Sequence, residues 1–572
     1  MDLETFKNNF NLLADTPKGI PKLREMILQL AVMGKLVPQD PNDEPASELL
    51  KKIAKEKERL VKEGKIKTSE PLPPVKLEEM PYELPNGWEW VRLGNITNKI
   101  GSGSTPRGGK STYSEYGIPF FRSQNIWNHG LELADVAYIT EKIHHKMANT
   151  TVLPNDILLN ITGASLGRCA TYPDGLGEAN VSQHVTIIRP TESSTTLYLH
   201  LFIMSPHMQD LIWRRQVGMA REGLSKKVLE LFEIHLPPLP EQYRIVAKVD
   251  QLMALCDELE ERQKRRNTVR VSMNSACLNE LTSPEPEKSR TGWNRVRDYF
   301  NLLYDTPENV AALRQSILQL AVMGKLVPQD PNDEPASVLL EKIAKEKERL
   351  TKEGKIKKSD PLPPVKQEEM PYELPEGWEW SRLGNLGFIN PRNELNEDIG
   401  AAFIPMELIS DKYGIAPSFE VRKWKEIKNG FTHFSDGDVG LAKITPCFQN
   451  GKSAVFQGLP NGVGAGTTEL HVFRPLAKTI IPHYVWLYLK SPRFVSVGEV
   501  KMTGSAGQKR VPKEYFSTNP FSLPPLPEQQ RIVAKVDQLM ALCDELESRL
   551  KHSQFAGEKL MEAIAQKLAA TA

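Results

Sequence analysis

The residues best placed to do chemistry in this sequence are two Gly-Lys-Ser triplets, at 109–111 and 451–453. A phosphate-binding GxxxxGK[ST] loop needs another glycine five positions before the first residue of the triplet, so that backbone N–H groups can surround a phosphate. Ser104 and Pro446 stand at that position. Neither triplet therefore predicts a nucleotide site.

Other catalytic signatures are missing as well. An amino-methyltransferase loop needs two prolines before an aromatic residue, and the sequence Asn519, Pro520, Phe521 has one, so we interpret it as structural. The sequence contains no HExxH metalloprotease motif and no GxSxG nucleophile elbow. Its five cysteines form no CxxC pair, which argues against a zinc cluster or a disulfide framework. We therefore predict a non-catalytic chain without a metal site.

A long internal repeat organises the chain. Residues 27–47 return letter for letter at 317–337. Residues 96–235 and 386–522, which lie between repeated blocks, are nearly equal in length but show little identity. Because a simple duplication would let all parts drift together, this pattern indicates one standard frame that carries two different inserts.

The frame is predicted to be helical. Block 244–260 returns at 531–547, and its apolar residues alternate four and three positions apart, the heptad spacing of a coiled coil. These positions are Ile245, Val249, Leu252, Cys256 and Leu259, with Ile532, Val536, Leu539, Cys543, Leu546 and Leu550 in the copy. Further helices are expected over 23–32, 313–322 and 51–67, and the proline-rich stretch 71–85 should be an ordered linker or surface strap.

The inserts are predicted to be mixed α/β. Apolar runs at 157–159, 185–188 and 470–473 are bounded by turn residues, as strands are, and aromatic-rich helical stretches follow at 197–213 and 484–494. The fold class is therefore α+β, with two mixed α/β domains separated by long antiparallel coiled-coil helices in a circular, pseudo-twofold arrangement. The expected divisions are an N-terminal helical region and linker (1–86), the first domain (87–238), a central helical spacer and linker (239–376), the second domain (377–525) and a C-terminal spacer helix (526–572).

Charge and hydropathy limit the class of protein. The net charge is only +1, so binding to nucleic acid would need locally concentrated positive charge. No apolar run approaches the length of a membrane span, and the sequence after Met1 does not resemble a signal peptide. We expect a protein of the reducing cytoplasm without a membrane partner.

The frame resembles a known family. The sequence LPPLPEQ at 236–242, followed by RIVAKVD and repeated from 523, resembles the spacer signature of type I restriction-modification specificity subunits. Residues 317–327 are similar to that family's second spacer helix. Segments that look like its target-recognition-domain strands are 117–125, 155–168, 437–446 and 466–474. The long segment before the first insert departs from the commonest layout and leaves the role of residues 35–85 open.

The resemblance implies recognition of double-stranded DNA. Each insert would read one half of an asymmetric two-part site, and the helices would set the unread gap. It also implies two methyltransferase subunits that use S-adenosylmethionine and restriction subunits that use ATP and Mg²⁺, with no cofactor in this chain. A continuous helix over 240–280 would be about 60 Å long and would separate the readers by roughly one to two turns of DNA.

The candidate DNA-binding residues are polar and basic side chains of the inserts. Arg and Lys suit guanine edges and phosphates, whereas Gln and Asn suit adenine. In the first insert the candidates are Ser104, Thr105, Arg107, Arg122, Gln124, Asn125, Gln183, His184, Arg221, Ser225, Lys226 and Lys227. In the second they are Asn390, Arg392, Lys443, Thr445, Thr467, Thr468, Glu469, Gln508, Lys509 and Arg510. We interpret Trp88, Trp90, Trp378 and Trp380 as core residues of the frame, and His144 and His145 as surface residues.

One alternative from another class stays open at this point. A duplicated coiled-coil adaptor that binds proteins through its inserts would agree with the near-neutral charge. The basic, glycine-rich loops at 218–227 and 504–513 favour DNA instead. A steep fall of DNA affinity with salt would separate the two functions.

Overall fold

The computed structural model describes residues 18–68, 70–215, 223–354, 356, 360–476, 479–505 and 507–570. The chain divides into two compact units, Met1–Arg265 with Gln554–Ala572, and Arg266–Ser553. Each unit combines helices with small mixed sheets, which confirms an α+β fold in two domains. Within the described ranges, no helix has the length and apolar character that a membrane span requires.

The helices of the first unit belong partly to the frame and partly to the first insert. They are α1 (Gly19–Val32), α2 (Ala46–Lys62), α3 (Leu93–Ile96), α4 (Glu141–Lys146), α5 (Thr196–Met204), α6 (Pro206–Arg214), α7 (Lys226–Glu230) and α8 (Leu239–Leu281), of which α8 continues into the second unit at residue 266. The long α8 confirms the continuous helix expected over 240–280. The helical stretch expected over 197–213 is confirmed and consists of two helices, because the chain breaks at Ser205, whose Oγ accepts a hydrogen bond from the Met208 N–H of the next helix at 3.3 Å.

The strands of the first unit form two four-stranded sheets and two small ribbons. They are β1 (Glu89–Arg92), β2 (Thr97–Ser102), β3 (Ile118–Phe121), β4 (Ile126–Trp127), β5 (Gly130–Leu131), β6 (Ala137–Ile139), β7 (Thr151–Val152), β8 (Ile157–Asn160), β9 (Cys169–Thr171), β10 (Ala179–Val181), β11 (Val185–Pro190) and β12 (Glu233–Leu236). The sheet orders are β2-β11-β8-β9 and β6-β3-β10-β7, while β1 pairs with β12 and β4 with β5.

The second unit contains the repeated frame and the second insert. Its further helices are α9 (Pro286–Asp298), α10 (Phe300–Leu303), α11 (Pro307–Val322), α12 (Ala336–Lys352), α13 (Leu383–Leu386), α14 (Trp424–Ile427), α15 (Pro482–Lys490), α16 (Pro492–Lys501), α17 (Lys513–Thr518) and α18 (Leu526–Ala570), which belongs to the first unit from residue 554 onward. The helical stretch expected over 484–494 is likewise confirmed and lies in two helices, with a break at Ser491 before Pro492.

The two inserts share one strand order although their sequences differ. The strands of the second unit are β13 (Glu379–Arg382), β14 (Gly387–Ile389), β15 (Gly400–Ile404), β16 (Glu420–Lys423), β17 (Thr432–Ser435), β18 (Val439–Ala442), β19 (Ser453–Val455), β20 (Val463–Gly466), β21 (Leu470–Pro475) and β22 (Pro520–Leu523). Their orders, β14-β21-β18-β19 and β16-β15-β20-β17, repeat those of the first insert. Each insert also has a single parallel pair among these strands, β3 with β10 and β15 with β20. The strands expected over 157–159, 185–188 and 470–473 are confirmed as parts of β8, β11 and β21.

The heptad positions of the frame face inward. Ile245, Val249 and Cys256 are buried in the same apolar core as α1, and Ile532 and Val536 are buried in the core of the second unit. In each copy a glycine stands two residues after the end of the first frame helix, α1 or α11. Gly34 has φ 67°, where a β-carbon is strained and would also meet the Pro85 ring at 2.5 Å, and Gly324 has the same φ.

Side-chain contacts join the parts of the frame that lie next to the first and last residues of each insert. Trp88 Nε1 donates to Glu241 Oε2 at 3.0 Å, and Gln39 Nε2 donates to the other carboxylate oxygen at 3.2 Å. Trp378 and Glu528 repeat the first bond at 2.9 Å. Burial raises the pKa of Glu241 and of Glu528. Trp88 and Trp378 are buried, as expected of core residues.

The proline-rich stretch is a strap held against the start of the insert. The buried guanidinium of Arg92 donates to the carbonyls of Pro73 and Pro74 at 3.2 and 3.1 Å and to Glu79 at 2.6 Å. This contact holds the pKa of Glu79 well below its usual range. Arg382 makes the equivalent bonds to its own copy of the strap. Residues 71–85 are therefore anchored to the insert by a charged side chain.

Candidate nucleic-acid interface

Loops of the first insert meet at one end of its two large sheets. The loop after β2 lies against the turn between β10 and β11, because Gly103 and Ser104 donate their N–H groups to the carbonyls of Val185 and Val181 at 2.9 and 3.1 Å. The loop after β8 joins them, since Ile161 donates its N–H to His184 at 3.0 Å. We call residues 103–107, 121–125, 160–168, 181–185 and 223–227 the first tip.

The glycine-rich loop before α7 returns to this tip. Leu224 donates its N–H to the Ile161 carbonyl at 3.1 Å, and Gly223 forms a β-bridge with Thr162. Thr162 Oγ1 in turn lies 2.8 Å from His184 Nδ1. The segments picked from the sequence at 104, 183–184 and 225 are therefore brought together by main-chain hydrogen bonds.

Most candidates of the first insert lie on the surface of the tip. The exposed ones are Ser104, Thr105, Arg107, Gln124, Gln183, Ser225, Lys226 and Lys227, and the half-buried ones are Arg122 and His184. Ser225 also caps α7, because its Oγ accepts a hydrogen bond from the Val228 N–H at 3.3 Å. Arg221 lies outside the described residues.

Asn125 is placed differently from the expectation. Its side chain is buried, its Oδ1 accepts from the Arg122 N–H at 3.0 Å, and its Nδ2 donates to the carbonyls of Glu132 and Asp135 at 3.2 and 3.0 Å. The amide is thus used in closing its own loop. Arg122 and Gln124 both donate to the exposed Asp135 carboxylate, which orients them along the surface.

Loops of the second insert form a second tip, residues 392, 443–445, 467–469, 503–505 and 507–511. Lys443 donates its N–H to the Glu469 carbonyl at 2.9 Å and accepts from the Val511 N–H at 2.8 Å. Thr445 donates its N–H to Lys509 at 3.0 Å and its hydroxyl to Gly507 at 3.1 Å. Candidates chosen at three separate places in the sequence are therefore neighbours.

The two tips use matched main-chain bonds with different side chains. Lys443 occupies the position of Ile161, and Glu469 the position of His184, because each pair makes the same N–H to carbonyl bond. Arg510 binds the Glu469 carboxylate with two hydrogen bonds of 2.9 and 2.8 Å, which lowers the pKa of Glu469. Thr468, Gln508 and Lys509 are exposed, and Thr467 Oγ1 accepts from the Glu469 N–H at 3.2 Å.

Asn390 and Arg392 lie at the start of the second insert. Asn390 adopts a left-handed backbone conformation, and both its N–H and its Oδ1 bond to the Val472 main chain at 2.8 Å, so its side chain extends the β14–β21 pairing. Arg392 donates to the Phe431 carbonyl at 3.2 Å. Because Thr432 pairs with Gly466, Arg392 lies near the 467–469 loop.

A buried ion pair ties together the strands that lead into each tip. Asp156, the residue before β8, accepts from Arg189 on β11 with distances of 2.6 and 2.7 Å. Asp438 and Arg474 make the same paired contact in the second insert. These four residues are not among the candidates chosen from the sequence, although an Asp before one strand and an Arg near the end of another occur in both inserts.

The histidine pair is only partly as expected. His145 is exposed, but the expectation that His144 is a surface residue is wrong, because its side chain is buried between Asn180 and Glu178 at 2.6 and 2.9 Å. Arg168 is a tip residue that the sequence did not single out. Its carbonyl accepts from the Asn160 N–H at 2.8 Å, and its guanidinium carbon lies 3.9 Å from the centre of the Trp127 ring.

The fold and both tips agree with a known class of protein. The family described as "Type I restriction modification DNA specificity domain" matches residues 85–268 and 375–553, more than half of the chain. The chain therefore belongs to this family, with one match for each insert and the helix that follows it.

Individual relatives carry more specific names. The chain is similar to the type I restriction enzyme EcoAI specificity subunit of Escherichia coli, 54% identical over 45% of this chain and 44% of that protein. The EcoEI specificity subunit of Escherichia coli is 52% identical over 45% of this chain and 43% of its own length. The matched part is thus less than half of these two relatives. Among solved structures, the HsdS subunit from Thermoanaerobacter tengcongensis matches 86% of this chain and 99% of that chain, with 20% identity and a TM-score of 0.42.

Proposed function

We propose that this chain is the DNA-specificity subunit of a type I restriction-modification complex, in which each insert reads one half of an asymmetric two-part DNA site. One observation carries the proposal: two inserts with one strand order present different side chains at matched positions of their tips, within a nearly identical frame. Two identical tips would read identical half-sites, whereas these two would read different ones. Family membership and the names of the relatives support the same conclusion.

The tips contain the chemistry that DNA binding needs. Arg107, Lys226, Lys227 and Lys509 are exposed at the tips, which is where a chain with a net charge of only +1 would need its positive charge in order to bind DNA. These residues would contact phosphates, and the exposed Gln124, Gln183 and Gln508 would reach base edges. We exclude Asn125 and Asn390 from the proposed DNA contacts, because their side chains form hydrogen bonds within the protein.

The frame would set the distance between the two DNA-reading inserts and bind the partner subunits. In the proposed assembly α8 and α18 form the antiparallel coiled-coil spacers of a circular, pseudo-twofold molecule, with the domain divisions given above. At 1.5 Å per residue the 43 residues of α8 span about 65 Å, enough for a gap between half-sites. Two methyltransferase subunits using S-adenosylmethionine and restriction subunits using ATP and Mg²⁺ would supply the catalysis in the cytoplasm, and this chain would supply none.

Methylation mapping tests the proposal directly. The full chain would be co-expressed with its neighbouring methyltransferase subunit, and adenine methylation would be mapped across the host genome with and without the chain. The expected result is a gapped, asymmetric motif that requires the chain. No new motif, together with DNA affinity that is weak and insensitive to salt, would refute the proposal and favour the protein-binding adaptor.

A further inference from the structure

Arg168 lies in the first tip but is not among the residues to which we have assigned a DNA contact. The Gly167 N–H and the Arg168 carbonyl bond to the main chain of Asn160 at 2.9 and 2.8 Å. Asn160 pairs with Val185, the residue directly after His184. Arg168 is therefore fixed by its backbone at the same end of the sheet as the exposed candidates.

An aromatic platform holds the Arg168 side chain. The guanidinium carbon lies 3.9 Å from the centre of the Trp127 ring, at the distance of a cation–π contact. Trp127 is itself fixed, because its Nε1 donates to the Gln124 carbonyl at 2.8 Å and its ring stacks on His129 with an angle of 15°. The guanidinium is thus held against a fixed ring before any ligand arrives.

An arginine that stacks on an aromatic ring uses the face of its guanidinium and keeps the edge for a ligand. The N–H donors of arginine lie in the plane of the group, so stacking does not use them. Across the described residues, the Arg168 side chain has no hydrogen bond or ion pair. A ligand with two acceptors side by side would fit this edge, and guanine offers O6 and N7 in the major groove.

We propose that Arg168, held against the Trp127 ring, reads a guanine in the first half-site; this inference rests on the proposed function. A phosphate can be met from many directions by a flexible Lys or Arg. A base edge requires the donor group to be held in place, and the Trp127 platform holds it. Trp127 then acts as a positioning residue, and Arg168 is the residue that contacts the base.

The second insert supplies a matched control. The Arg422 guanidinium also lies 3.9 Å from an aromatic ring, that of Phe403, but its edge is occupied by Glu420 at 2.6 and 3.1 Å. Arg422 pairs with Ala401 near the start of β15, whereas Ile404 at the other end pairs with Gly466 beside the second tip. Arg422 thus has the same stacking without an open edge and away from the tip.

The test uses the full chain and a library of randomised DNA duplexes, with Arg168→Lys, Trp127→Leu and Arg422→Lys as variants. The wild-type chain is expected to select a gapped motif with a guanine in one half-site. Arg168→Lys should lower discrimination at that guanine by about tenfold or more, with the other half-site and the salt dependence unchanged. Trp127→Leu should give a smaller loss at the same position, and Arg422→Lys should leave the motif unchanged.

Two further results decide the proposal even if a variant folds poorly. Replacing the selected guanine by 7-deazaguanine removes N7 and should weaken binding of the wild-type chain, with less effect on Arg168→Lys. An unchanged affinity for the 7-deazaguanine duplex would overturn the proposal. So would an equal loss on all sequences with a salt slope reduced by about 0.9, since that result marks a phosphate contact. If the wild-type chain selects no gapped motif, the proposed function itself fails.

Discussion

Replacing Arg189 by methionine should destabilise the first insert more than replacing its partner Asp156 by asparagine. The two side chains form a paired ion contact, but they differ in their access to water. The Asp156 side chain is 0% exposed and the Arg189 side chain 23% exposed. The cost of each substitution therefore depends on how well water can reach the charged partner that remains.

The expected magnitudes follow from these exposures. Arg189→Met leaves a fully buried carboxylate without its cation, which costs about 3–5 kcal/mol. Asp156→Asn leaves a guanidinium that can reach water and keeps its bond to the Thr151 carbonyl at 3.1 Å, so the cost is about 1–3 kcal/mol. The double variant removes both charges and should be less destabilised than Arg189→Met alone.

Hydrogen exchange of the full chain measures these costs strand by strand. Peptides from β8 and β11 should exchange faster in the variants, by about tenfold for every 1.4 kcal/mol. Peptides from β18 and β21 of the second insert give an internal reference that should not change. Equal effects of the two single variants, or a double variant whose cost is the sum of both, would refute the argument from charge compensation.

Further predictions concern the tips, the frame and pH. Exchanging residues 96–235 for the insert of another family member should change one half of the methylated motif, and a change in both halves would contradict independent reading. Seven residues added to α8 should widen the gap with both halves unchanged; an unaltered gap would show that this helix does not measure it. Glu469→Gln should strengthen non-specific DNA binding and steepen its salt dependence, because it frees the Arg510 guanidinium; an unchanged salt slope would argue against the idea. Lys490 is buried and donates to two carbonyls at 2.8 Å, and burial lowers its pKa to about 7 from 10.5. The unfolded chain keeps this proton to higher pH, so the free energy of unfolding should rise from pH 7 to 10. The same rise in Lys490→Met would show that deprotonation of Lys490 is not its cause.

The parts of the fold with local signals could be predicted from the sequence. The heptad seam of α8 and the strand β8, which follows the turn residues Asn155 and Asp156, are where the sequence places them. The breaks at Ser205 and Ser491 were missed because the apolar pattern continues across them. His144 was misplaced because its partner Asn180 lies 36 positions away, and a contact at that separation leaves no local pattern.

The candidate site was predictable by residue type but not by arrangement. The exposed glycine-rich loops gave a signal, and they do lie together in each tip. No sequence signal showed the roles of Asn125 and Asn390, because an asparagine that closes its own loop looks the same in sequence as one that faces DNA. Arg168 was missed because its platform, Trp127, is 41 positions away and comes next to it only because the β4–β5 ribbon packs near β9 in the fold.

The kind of hydrogen bond used in each region explains why the frame is repeated almost unchanged and the inserts are not. The frame is joined by side chains, such as Trp88 with Glu241 and Arg24 with Asp257 at 2.6 Å, so a substitution on either side breaks a contact. The tips are joined largely by main-chain N–H and carbonyl groups, which every residue except proline supplies in full. A lysine can therefore replace an isoleucine at 161 or 443, and a glutamate can replace a histidine at 184 or 469, without loss of the backbone bonds. In such a scaffold the residues that would meet DNA can change at little cost in stability, while the frame that positions them cannot.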